Sequence, residues 1–516
     1  MDTHGHHHWF YLGALLVTAA LLYPFTQALY LPLVDLPNHI ARHTIMAAED
    51  GSALTRFWTA SFVLVPNSAV DLLWQAIGGG DAVVFSHRVM AVAALNLFAS
   101  GVVLARVVHG RFTAWSLAGG LVVFSVTFLF GFQNYSFSLP FAIHAFALYL
   151  VLERRALWLR VLVFAAITPV LFVMHFFAFA VLGALALGRE LQRIAETRTP
   201  RSLGHAAAMG LPFVVPVLWL LADMATGPEN PAGSFTEFGT LQARLTRFAG
   251  PLHAHSIDLG QGLNQLATLI TFALYGLFST TLAPLSWGLR VSPVMRGPVL
   301  AILAVAVLAP TWLAGVALID VRFPFVFILV MIAATDWRAG APRMAAAVTV
   351  LAVALIAGRS AQLGLFFSVH DAEMRALTTL MDDWVEPEDR VLPVRAPGAF
   401  LRSRHWHVQG YATARNEAFI PTLFQGVHAV QLREEYAVSA TPLMSGNPAC
   451  AVFEAAPQER DRLGEWCHVE DYLEGWETKF NKILAMEPLD AAIVAGAPVR
   501  LLGRRGRFEI YEVTAD

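Results

Sequence analysis

Residues 82–106 read AVVFSHRVMAVAALNLFASGVVLAR. The run holds no acidic residue, and its two Arg lie towards its ends. As a helix it would be about 37 Å long, enough for a hydrocarbon core of about 30 Å. Apolar runs of the same character recur at 9–31, 114–132, 135–152, 157–174, 176–188, 206–222, 266–284, 298–318, 323–336 and 344–365. The pattern predicts a polytopic α-helical membrane bundle of about 11 crossings. The run at 176–188 is short and could instead form a re-entrant hairpin with 157–174.

The composition of the 516 residues divides in two. Overall 56% are hydrophobic, 14% are charged and the net charge is −3. Residues 1–365 carry 20 Arg against 15 Asp and Glu, whereas 366–516 carry 15 Lys and Arg against 23 Asp and Glu. The first part is too apolar for a soluble domain, and the second has an ordinary soluble composition. The chain therefore divides into a membrane module, 1–365, and a soluble α/β domain, 366–516. Its balance of charge gives no footprint for nucleic acid.

Arg placement sets the expected orientation. With the N-terminus inside, the inner loops collect Arg111, Arg154, Arg155, Arg160, Arg189, Arg193, Arg198, Arg201, Arg290, Arg296, Arg338 and Arg343. An odd number of crossings then places the C-terminal domain outside, in the periplasm of a bacterial inner membrane. Both cysteines, Cys450 and Cys467, fall in that domain, where an oxidising space would allow a disulfide; two separate buried thiols are the alternative. His4, His6, His7 and His8 form a short tract of metal-ligand type at a flexible N-terminus. The first run lacks the basic flank and cleavage site of a signal peptide.

Two outer loops are long, 32–81 and 223–265. In the first, 53–78 places Phe57, Trp58, Phe62, Val65, Val70, Leu73 and Trp74 among polar residues, as in short helices lying flat at the interface. In the soluble domain, 371–384 and 475–486 read as helices and 390–394, 491–494 and 508–513 as strands. No phosphate-binding Gly loop, nucleophile elbow or zinc-ligand spacing appears there.

The chemistry-bearing residues gather at the outer ends of the runs. VDLPNHIARH, 34–43, follows the first crossing: Pro37 near a helix start makes Asp35 an N-cap candidate, with Asn38 and Arg42 on one face and His39 and His43 on another. A carboxylate, two imidazoles and a guanidinium can accept a proton and bind phosphate. DVRF, 320–323, puts Asp320 and Arg322 at a helix mouth, where Arg322 could hold a lipid phosphate or pair with Asp320. GFQNYSFSLP, 131–140, offers Gln133, Asn134 and Tyr135; His175 in VMHFF, and His87 with Arg88, could line the same cavity.

Together these features resemble the GT-C superfamily of integral-membrane glycosyltransferases. An Asp in the first outer loop beside flat helices carries the likeness. VRFPFVFILV resembles the Arg-aromatic-Pro region of the protein mannosyltransferase and arabinose-transferase-like branch, although here Pro324 directly follows the aromatic. The resemblance implies a polyprenyl-phosphate-linked sugar donor and transfer on the outer face to a glycan, lipid or protein acceptor. It implies Asp35 as the base that takes the acceptor proton and Arg322 as the holder of donor phosphate. His39, Arg42, His175, Asn134 and Arg88 would assist at donor or acceptor. The family often has Asp-Glu in this loop, where Leu36 follows Asp35 here; a divalent ion, Mg or Mn, would take Asp35 as ligand. A lipid or glycan transporter would instead show charges deep in several crossings. A non-catalytic assembly protein would use the outer domain as its binding surface.

Overall fold

The computed structural model describes the chain apart from residues 1–2, 62–63, 227–235, 253–260, 283–287, 314–315, 339–341, 397–403, 425–429, 441–446, 454–466, 468–470 and 515–516. Phe62 and parts of loop 223–265 therefore lie outside the described residues, as do the side chains of residues 1–7.

Helices of the membrane module account for most of the predicted runs. His8–Thr26, Ala82–His109, Gln133–Arg154, Leu157–Met174, Pro200–Ala222 and Pro342–Trp384 are long and apolar enough to cross a bilayer. Pro324–Ala334 has all eleven residues buried and sits inside the bundle. By contrast Leu211, Val215 and Leu218 point outward, more than half exposed. Apolar side chains on an outer face suit lipid, since water would penalise them.

The run 114–132 does not form the expected regular crossing. It is a 3₁₀ segment, Ala114–Val122, followed by one turn, Val126–Leu129. Close packing explains the departure: a Cβ on Gly120 would meet Ile356 and Val17 at under 3 Å. An irregular backbone inside a bilayer leaves carbonyls unpaired, at a cost of several kcal/mol each by order of magnitude. Arg359 removes that cost by donating to the carbonyls of Leu121, Phe124 and Leu252.

The soluble domain carries a mixed five-stranded sheet. Its order is Asn447–Pro448, Val391–Arg395, Lys482–Ala485, Phe508–Val513, Val499–Arg505. The first three strands run parallel and the last two antiparallel. Two expectations fail here. The helix expected over 475–486 is one turn, Trp476–Lys479, and then a strand, because Ile483, Leu484 and Ala485 are fully buried in a parallel ladder. The strand expected at 491–494 is a helical turn capped by Asp490, whose carboxylate accepts from Ala492 N–H at 3.0 Å.

Two features bind the halves together. Pro342–Trp384 is one continuous helix of 43 residues, so position 365/366 falls within it. Trp58–Ala60, from the first long loop, pairs antiparallel with Val430–Leu432 of the domain. Phe57 packs on Phe419 and Tyr436. Among the described residues of 53–78, Leu54–Phe57 is one helical turn and Ala69–Ile77 a longer helix, and Phe57 and Trp58 are buried against protein.

Candidate active site

The segment VDLPNHIARH forms the turn and helix its Pro implied. Asp35 stands at the N-cap of Leu36–Met46, but its carboxylate makes no capping hydrogen bond. It is held instead through its backbone, whose N–H donates to Phe130 O at 2.8 Å. Gly131 makes this approach possible. Its φ is +79°, and a Cβ there would lie 3.1 Å from Leu36 N and 3.2 Å from Asp35 N.

The freed carboxylate faces a histidine of the C-terminal domain. His407 Nε2 lies 3.5 Å from Asp35 Oδ1. Asn38 Nδ2 pairs with His407 Nδ1 at 2.7 Å, an arrangement that suits the tautomer protonated on Nε2, the nitrogen facing the carboxylate. Burial, reinforced by the positive charge of Arg395, pushes His407 down to about 3, so the ring is neutral. Asp35 is 17% exposed, and burial raises it to about 7 against the opposing pull of Arg322. A carboxylate that ionises near neutral pH is matched to general-base work.

Arg322 completes this neighbourhood. Its guanidinium carbon lies 4.4 Å from the Phe132 ring centroid and 4.6 Å from that of Phe177. Nε donates to Leu318 O at 3.2 Å and Nη2 to Ala317 O at 3.3 Å. Leu318 adopts φ +57°, a left-handed conformation uncommon for a branched side chain. Among the described residues two of its five N–H groups have acceptors, and a guanidinium can offer the others to an anion. Burial lowers Arg322 to about 10, partly offset by Tyr135 and Asp35, so it stays charged. Tyr135 fixes the segment by donating to Arg322 O at 2.8 Å. Asp320 does not pair with Arg322; its Oδ2 accepts from Thr311 at 3.1 Å and lies 3.7 Å from Arg247.

The remaining sequence candidates divide. His175 joins the group: its ring packs at a tilt against Tyr135, centroids 5.1 Å apart, and its Nδ1 accepts from Phe177 N–H at 3.0 Å as a helix cap. His39 and Arg42 turn towards Asp71. Arg42 Nη2 lies 2.8 Å from both Asp71 oxygens, His43 Nε2 is 3.3 Å from Oδ1, and His39 Nδ1 is 3.3 Å from Arg42. Burial alone would raise Asp71, yet Arg42 and His43 hold it well below the usual carboxylate range. This buried network fixes helix Leu36–Met46 against Ala69–Ile77. Asn134 has the same duty, accepting from Val70 N–H at 2.7 Å and donating to Asn67 O at 2.8 Å. Arg88 is elsewhere, at an apolar cleft of about 410 Å³ that Trp74, Phe85, Val92 and Phe137 also line. His407 was missed in the sequence because nothing local marks it; only its 369-residue separation from Asn38, closed by folding, brings it to the site.

Among the described residues, Asp35 has no second carboxylate beside it and belongs to no cluster of His, Cys, Asp and Glu. Its neighbours are a neutral imidazole and a guanidinium. That donor set suits a proton acceptor better than a ligand of Mg or Mn.

No protein-family model and no curated protein matches the chain. Solved structures do. ArnT from Cupriavidus metallidurans in the apo state is 12% identical, with TM-score 0.50 over 96% of this chain and 97% of that one. The same protein bound to undecaprenyl phosphate is 13% identical, with TM-score 0.50 over 97% and 98%. At such low identity the likeness speaks for fold, and it runs nearly end to end. The chain is a membrane protein that shares the fold of these ArnT structures, helical bundle and C-terminal sheet domain together.

Proposed function

We propose that this chain is a membrane glycosyltransferase that moves a sugar from a polyprenyl-phosphate donor to an acceptor hydroxyl. The observation that carries the reading is that Asp35 and Arg322 lie near enough for their charges to act on each other: a carboxylate that ionises near neutral pH and a cation held between the Phe132 and Phe177 rings. The undecaprenyl phosphate held by the similar ArnT structure supports the donor class. The apolar cleft at Trp74 and Phe137 offers a lipid chain a surface away from water.

In this reading Asp35 accepts the proton of the acceptor hydroxyl as its oxygen attacks the anomeric carbon. The bond from that carbon to the phosphate oxygen breaks, and polyprenyl phosphate departs with the electron pair. Arg322 stands where negative charge grows on the phosphate, so its attraction is stronger in the transition state than in the ground state. His407 keeps the Asp35 carboxylate oriented with its Nε2 proton, and His175 lines the aromatic wall that holds Arg322. His39, Arg42 and Asn134 support the site by fixing its helices. The Cys450–Cys467 disulfide agrees with a domain in an oxidising space outside a bacterial inner membrane.

Purified full-length protein in lipid nanodiscs, given polyprenyl-phosphate sugars, tests the proposal. Release of polyprenyl phosphate that depends on both Asp35 and Arg322 supports it. Release unaffected by Asp35→Asn, or no release from any donor tried alongside retained lipid binding, overturns it.

A further inference from the structure

A second cluster of chemically capable side chains lies where the 43-residue helix leaves the bundle. His370 and Glu373 stand three residues apart on it, and so share a face. His405 comes to that face from the domain. One ligand-type atom from each lies within 4.8 Å of the others. His370 and His405 are each 1% exposed, with their rings stacked 5.5 Å apart. Glu373 is the open side of the group, 27% exposed.

The bonding within the cluster is incomplete. His370 Nδ1 is buried without a hydrogen-bond partner. An unpaired buried imidazole nitrogen costs about 1–3 kcal/mol, which a native site seldom tolerates without use. His405 Nε2 and the Arg404 guanidinium both bond Oε2 of Glu373, leaving Oε1 without a hydrogen bond among the described residues. Arg404 Nε is likewise buried and unpaired. Arg404 thus neutralises the carboxylate with part of its hydrogen-bonding capacity, as a cation that a metal could displace.

We infer that His370, Glu373 and His405 form a binding site for a divalent transition-metal ion, zinc by donor type. Two imidazoles and one carboxylate are a common zinc set, with the exposed side left for water. The site is separate from Asp35 and takes no part in sugar transfer. Its role is to clamp. His405 is two residues before His407, which faces Asp35, so an ion joining His405 to the helix fixes the short segment that carries His407. The inference does not rest on the glycosyltransferase reading.

The test uses the full chain in nanodiscs with His4, His6, His7 and His8 replaced by Ala, so that the N-terminal tract cannot bind metal. Cobalt(II) is titrated first and zinc then competes. We expect one equivalent of cobalt with a visible ligand-field band, abolished by zinc. Glu373→Gln and His370→Ala each weaken binding by at least about tenfold, as expected when one of three ligands goes. Arg404→Gln strengthens it, because the competing cation is gone. Zinc should also slow amide exchange over 404–409. Melting temperature without metal separates misfolding from ligand loss, and Glu373→Gln, on the exposed side, keeps the test valid if His370→Ala fails to fold. Absence of stoichiometric cobalt binding, or binding unchanged in a folded Glu373→Gln protein, overturns the site. Binding without protection of 404–409 overturns the clamp.

Discussion

Replacing Asp35 by Asn exchanges one carboxylate oxygen for an amide group of nearly equal size. The Asp35 side chain makes no capping bond, so the helix behind it should be undisturbed. The carboxyl is raised by burial to about 7, partly countered by Arg322. A group with that pKa is about 90% ionised at pH 8 and about 1% at pH 5, whereas an ordinary aspartate is ionised throughout that range. If the ionised form takes the acceptor proton, transfer should fall about 90-fold from pH 8 to pH 5, by one decade per unit below about pH 6. Asp35→Asn should lower transfer by about 10²- to 10⁴-fold and leave a residual rate with no step near pH 7. Stability moves in the opposite sense. A carboxyl raised on folding favours the folded state at low pH, and that contribution is lost as pH rises through about 7. Asn removes the buried charge, so the melting temperature at pH 8 should hold or rise. The assay is release of polyprenyl phosphate in nanodiscs from pH 5 to 9, with melting recorded on the same samples. A wild-type rate flat across pH 7, or full activity in a folded Asp35→Asn protein, would refute the assignment.

Arg322→Gln should cut turnover by about 100-fold or more and move the remaining pH midpoint upward, since the cation that lowers Asp35 is gone; a pH–rate profile reads both. His407→Ala should reduce turnover by about tenfold with little change in melting, and His407→Gln should restore part of it by donating to the carboxylate. Asp71→Asn should destabilise by about 3–5 kcal/mol, because the buried Arg42 loses its counter-charge; denaturation of the purified protein measures it. Gly131→Ala should cost about 1–3 kcal/mol and also depress activity, because the new Cβ presses on the backbone that seats Asp35; paired melting and turnover data check both effects.

The sequence was most legible where one stretch carries its own signal. Apolar length marked the long helices, and Pro37 marked the start of the helix after Asp35. Arg322 was conspicuous because a cation at a helix mouth needs an anion or an aromatic wall, and Phe132 and Phe177 supply the wall. Non-local features were hidden. Residues 114–132 read as a crossing because hydropathy cannot register the close approach at Gly120 or the carbonyls that Arg359 satisfies. Arg42 looked available for phosphate because its partner Asp71 lies 29 residues on, in another helix. Lys482–Ala485 merged with a preceding helical turn because a buried parallel strand lacks the alternation that would separate it.

The pairing of Asn38 with His407 has a consequence for biogenesis. The two residues are 369 positions apart. At about 5–20 residues per second, roughly 20–70 s of translation separate them, so the first loop waits through nearly the whole synthesis for its partner. During that interval Trp58–Ala60 has no strand to pair with, and Asp35 stands without the imidazole that faces it. Assembly of this site is therefore a late event, coupled to arrival of the C-terminal sheet. A chain cut short before His405 would insert its helices and still lack the domain side of its candidate site.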